Sequence, residues 1–127
     1  MHDQAFAILE YDQLRELIQR GAQTAMGRAR IEALAPFSDL AALQKSLQAV
    51  AECVELRRRG VVWSFYELSD PKEPIARLGI EGAALEPLAI LELARLCESA
   101  MSARASILAE RDAGPVLWTI VEELPRD

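Results

Sequence analysis

Between Asp39 and Gly60 the apolar residues Leu40, Leu43, Leu47, Val50 and Val54 recur at alternating spacings of three and four. That rhythm returns to one face of an α-helix at each step and scatters over both faces of a strand. Ser38 or Asp39 stands where a helix needs an N-cap, and Gly60 where one stops. The stretch therefore predicts a helix reaching about Arg59, roughly 30 Å long. Two heptads are too few for a coiled coil, so this seam is expected to pack against other helices in a bundle.

The remainder is punctuated in the same manner. A first helix is predicted over Tyr11–Arg20, with Tyr11, Leu14, Leu17 and Ile18 as its apolar face and Asp12, Arg15, Glu16 and Gln19 as its wet one. Gly21 is placed to end it as a left-handed cap. Thr24 opens a second helix that stops before Pro36, because the residue preceding a proline is pushed out of the α region. Asp70-Pro71-Lys72-Glu73 reads as a helix start, and that helix ends at Gly79. Pro87 opens a long helix to about Arg111, with Ile90, Leu93, Cys97, Met101, Ile107 and Leu108 turned inward. Gly114-Pro115 separates it from a last helix bearing Val116, Leu117, Ile120 and Val121. Val61–Tyr66 is the one β-branched and aromatic run, a short strand or extended loop. The expected fold is all-α: one domain over residues 1–127, an irregular bundle of about five to six helices with one extended segment near Val61–Tyr66.

Charge narrows the partners. Twenty Asp and Glu against fourteen Lys and Arg leave a net charge of −6, the wrong sign for a module that grips phosphates by counterion release. Cys53 and Cys97 stand apart with no CxxC and no neighbouring His, which fits two reduced core thiols. No stretch resembles a signal peptide or a membrane span, and a cytoplasmic location is the expectation.

Chemistry finds little to stand on. His2 is the one histidine and has no second ligand at metal spacing. The six glycines are isolated and none precedes Lys-Ser or Lys-Thr, so the segment has no P-loop. Glu122 and Glu123 are neighbours about 100° apart on a helix, a solvated face rather than a catalytic pair. No catalytic, cofactor-binding or metal-binding residue is expected. Arg57, Arg58 and Arg59 form the one basic cluster; they offset the helix macrodipole or contact a phosphate or an acidic partner. Trp63, Phe65 and Tyr66 are core aromatics or an interface patch, and Trp118 carries the same two readings. Arg28, Arg30, Arg95 and Arg104 are the arginines to inspect for an Arg- and Glu-lined pocket of a small helical enzyme. Arg95 and Arg104, nine apart on the long helix, are expected to face similar directions, more plausibly in structural ion pairs.

The order of these features carries a family likeness. Leu9-Glu10-Tyr11-Asp12, then Thr24-Ala25-Met26-Gly27-Arg28, Leu34-Ala35-Pro36 and Asp39 resemble the Leu-Glu-aromatic-Asp, Thr-x-x-Gly and Leu-x-Pro-x-x-Asp succession of the MutS2 family. The second of these also resembles the core domain of mismatch-repair MutS proteins. Val54-Glu55-Leu56, Asp70 with Ile75 and Leu78, the Leu85–Leu96 segment and Val121-Glu122-Glu123-Leu124-Pro125 continue in the same order. The Trp63–Tyr66 run replaces a stretch that is Gly- and Leu-rich in that family.

The resemblance implies the N-terminal part of a core domain, with the lever, clamp, ATPase and nuclease regions absent. It implies a parent that binds mismatched or branched DNA, hydrolyses ATP and dimerises, with ATP and Mg²⁺ belonging to the missing ATPase region. For this segment it implies a mechanical connector that meets DNA only within the full-length protein. Half a core would leave apolar surface uncovered, so a homodimer through the long helices or the aromatic run is expected, besides contacts with the rest of the parent polypeptide and none with membrane. The alternative expectation is a free-standing acidic helical interaction or dimerisation module with no link to DNA repair.

Overall fold

Six helices lie between Tyr11 and Val121 in the computed structural model, which describes residues 4–5 and 10–126. They are α1 (Tyr11–Gln19), α2 (Ala25–Glu32), α3 (Leu40–Arg58), α4 (Lys72–Leu78), α5 (Pro87–Ala109) and α6 (Pro115–Val121), with no strand among the described residues. Expectations resting on His2 and Leu9 fall outside the described residues.

The caps explain the boundaries. Thr24 Oγ1 accepts the Gly27 N–H at 2.9 Å, and the two Asp39 carboxylate oxygens accept those of Ala41 and Ala42 at 3.2 Å. Asp70 Oδ1 accepts the Lys72 N–H at 3.0 Å. Each satisfies a donor that the first helical turn leaves orphaned. At the other end of α3, Gly60 sits at φ 83°, its N–H reaching the Arg57 carbonyl while Val61 N–H reaches that of Leu56. This is a Schellman motif, and Val61 completes it by packing on the core around Leu56. Gly21 plays no such part: it does not adopt a positive φ, and α1 ends through short-range bonds from Gly21 to Ile18 and from Ala22 to Gln19. Val61–Phe65 forms a loop without regular structure, because no second strand runs beside it among the described residues.

α6 joins the longer helices by packing against both α3 and α5, while α1 packs on α2. The core at this junction is small: Leu56 from α3, Ala103 and Ile107 from α5, and Leu117 and Val121 from α6. The chain exposes 9900 Å². A compact monomer of 14.1 kDa would expose about 6,700 Å², so much apolar surface stays uncovered.

Which face each helix buries departs from the sequence expectation. On α3 the inward residues are Ala49, Glu52, Cys53 and Leu56, whereas Leu40, Leu47, Val50 and Val54 point away and stay exposed. On α1 it is Tyr11, Arg15 and Gln19, one helical turn apart, that reach α2 by donating to the carbonyls of Leu34, Glu32 and Arg28. Leu14, Leu17 and Ile18 are left in solvent. On α5, Ile107 is buried as expected but Ile90, Cys97 and Leu108 are exposed. Arg95 and Arg104 do not share a face either: nine residues at 100° each end half a turn away, with Arg95 exposed and Arg104 buried.

Candidate functional site

Among the described residues two charged side chains are buried, Glu52 at 2% exposure and Arg104 at 7%. Burying a charge is costly unless it is paired or hydrogen-bonded, so each needs its own account.

Glu52 has a full set of partners. Its Oε2 accepts the Leu117 N–H at 2.9 Å, and its Oε1 accepts the Val116 N–H and the Gln48 side-chain amide, both at 3.2 Å. Val116 and Leu117 open α6, whose N-cap is Gly114 and whose first residue is Pro115, neither with a side chain able to cap. α3 therefore supplies the cap by a side chain, placing a negative charge at the positive end of α6. Gly114 allows the approach, since a Cβ there would lie 3.3 Å from Leu56 Cδ1 and 3.8 Å from Glu52 Oε2. Burial, and then the Glu52 charge beside it, push the Cys53 thiol above its ordinary range.

Arg104 lacks such a set. Its guanidinium carbon stands 5.1 Å from the centre of the Trp118 ring, a cation–π contact between α5 and α6. Its Nε is buried without a hydrogen-bond partner. No ion pair links it to Glu52.

Two arginines of the basic cluster make exposed ion pairs. Glu55 holds Arg59 at 2.9 Å and Arg58 at 3.7 Å, and Arg59 also reaches Glu110 at 3.4 Å, tying α3 to the end of α5. The Arg59 hydrogen bond holds the Glu55 carboxyl below its ordinary range. Arg57 instead lines a cavity of about 470 Å³ with Cys53, Val61, Val62 and Trp63. The aromatic run is divided in burial: Trp63 packs against the core, Phe65 is half-buried, and Tyr66 is 68% exposed. The Phe65 N–H donates to Gln23 Oε1 at 2.8 Å, fastening the loop to the start of α2. Arg28, Arg30 and Arg95 are exposed on α2 and α5. A cavity of about 500 Å³ between α4 and α5 gathers Asp70, Glu73, Glu86 and Glu92 around a single Arg77, acidic rather than Arg-lined. Among the described residues no group of His, Cys, Asp and Glu is arranged to hold a metal ion, and no helix is long and apolar enough to cross a membrane.

Sequence reading missed Glu52 as a structural residue. The signal was present, because Ala49, Glu52, Cys53 and Leu56 share a helical face with one acid in it, but the wholly apolar seam opposite outweighed it.

Three curated proteins, each named Endonuclease MutS2, are similar to this chain. That of Gemmatimonas aurantiaca is 30% identical over 121 residues, covering 95% of this chain and 15% of its own. The Geobacillus thermodenitrificans protein is 30% identical over 113 residues, 88% of this chain and 14% of its own. The Bacillus velezensis protein is 28% identical over 127 residues, 98% of this chain and 16% of its own. The chain thus spans about one-sixth of the length of the curated relatives it matches. No family model and no solved structure matches it.

Proposed function

Related as it is to the MutS2 endonucleases, this chain, we propose, is a non-catalytic connector segment of a MutS2-like DNA-repair or recombination ATPase. The observation that carries the reading is the extent of the likeness: nearly all of this chain aligns with a small share of a much larger protein. In such a protein, binding of mismatched or branched DNA and hydrolysis of ATP with Mg²⁺ belong to other regions. This segment contributes packed helices, placed in the cytoplasm, that transmit displacement between those regions. Its net charge of −6 keeps the segment itself off phosphate backbones.

Assays of the isolated chain test this reading. It is expected to leave ATP intact and to leave branched DNA unshifted at physiological salt; ATP turnover, or tight binding that survives added salt, would overturn it. The exposed seam of α3 favours a second reading, an acidic helical module that forms a two-fold dimer. Leu40, Leu47, Val50 and Val54 present two heptads of largely exposed apolar surface. A dimer that forms through that seam, in a protein whose loss has no effect on DNA repair, would favour the second reading over the first.

A further inference from the structure

α5 carries a second uncovered stripe, with a charge set into it. At 100° per residue, Ile90, Cys97, Met101, Arg104 and Leu108 fall within about 60° of one another. Ile90 is 55% and Leu108 41% exposed, and Cys97 is open as well. Arg104, at one edge of this stripe, is folded against Trp118 with its Nε buried and unpartnered. No ion pair among the described residues includes it. Three acids do not serve it: the α6 amides occupy Glu52, and Glu98 and Glu110 stand about 120° from Arg104 around the helix.

We propose that Arg104 receives a carboxylate from a partner helix laid along this stripe. The partner is an amphipathic protein helix with apolar residues at heptad spacing and one Glu or Asp opposite Arg104. A guanidinium offers a planar fork that matches a carboxylate, and its stacking on Trp118 holds that fork in place before the partner arrives. One charge in an apolar seam also fixes the register of the helix that lies on it. A nucleic-acid phosphate suits the place poorly. Phosphate backbones are held by several gathered cations, and here the Arg104 guanidinium lies over the Trp118 ring on a chain of net charge −6.

The test needs only this chain and a synthetic helix, so it stands or falls apart from the family reading. The probe is a three-heptad peptide with Leu and Ala at its apolar positions and one central Glu, set against the same peptide with Gln. Replacing Trp63→Phe leaves Trp118 as the sole tryptophan, which can be excited apart from the two tyrosines; calorimetric titration of the unsubstituted chain gives the same comparison if that variant folds poorly. The Glu peptide is expected to bind about tenfold tighter or more, with a shift in Trp118 emission, and Arg104→Met is expected to abolish the preference. In the isolated chain Arg104→Met should also raise the thermal midpoint, because it removes a buried cation without a counter-charge. Equal affinities, no binding of either peptide, or the same emission shift from inorganic phosphate would overturn the proposal. So would a lowered midpoint for Arg104→Met, or loss of self-association in that variant, which would make the occupant a second copy of this chain.

Discussion

At the scale of single residues, Glu52 and Gly114 hold the three-helix junction. Glu52→Ala would strand the Val116 and Leu117 amides in the core, and unpaired buried donors cost about 1–3 kcal/mol each. A loss of about 3 kcal/mol in urea unfolding is expected. Gly114→Ala should cost about 1–3 kcal/mol by overpacking, since the new methyl meets Leu56 at 3.3 Å and the site is buried. The thiols offer a test that leaves the fold intact. Cys97 is exposed, while Cys53 is half-buried with its pKa raised by burial and by Glu52. Alkylation at pH 8 should therefore modify Cys97 first and Cys53 slowly. A raised thiol pKa adds stability below the unfolded value and loses it as pH climbs through the folded one, so this contribution fades in alkali. Neither Glu52 nor Arg104 stood out in the sequence as buried, because the reason for burying each lies on α6, more than fifty residues from one and a dozen from the other.

At the scale of elements, boundaries were legible and orientations were not. Thr24, Asp39, Asp70, Gly60 and Pro87 mark helix ends through bonds or φ angles that involve only near neighbours, so a linear reading captures them. Asp39→Ala should accordingly cost about 1 kcal/mol, measured as a shift of the denaturation midpoint. Which side of α3 turns inward is a different matter. The α6 amides recruit the Glu52 face and leave the more apolar seam outside, and no pattern within α3 announces that choice. The end of α3 also bears on pH. Arg59, through its hydrogen bond, lowers the Glu55 pKa, so the tie adds stability above the ordinary carboxylate range and loses it as pH falls through the lowered value. Both side chains are well exposed, which keeps the effect small.

At the scale of the whole molecule, an exposed surface of 9900 Å² describes a fold left open. Two long helices each show solvent an apolar stripe that a bundle would bury, and α1 adds Leu14 and Leu17. A protein that stayed alone would gain nothing from such stripes, since contiguous apolar surface beyond a few hundred Å² draws a partner. A connector inside a larger polypeptide and a dimerising module both require these uncovered faces, and a self-sufficient monomer does not. On the α3 seam, Leu47→Glu with Val54→Glu should leave the monomer's stability within about 0.5 kcal/mol, as at exposed sites generally. The most direct measurement is sedimentation equilibrium of the isolated chain across micromolar concentrations. The account predicts self-association towards twice the 14.1 kDa mass, lost in the double seam variant; a monodisperse monomer at every concentration would contradict it.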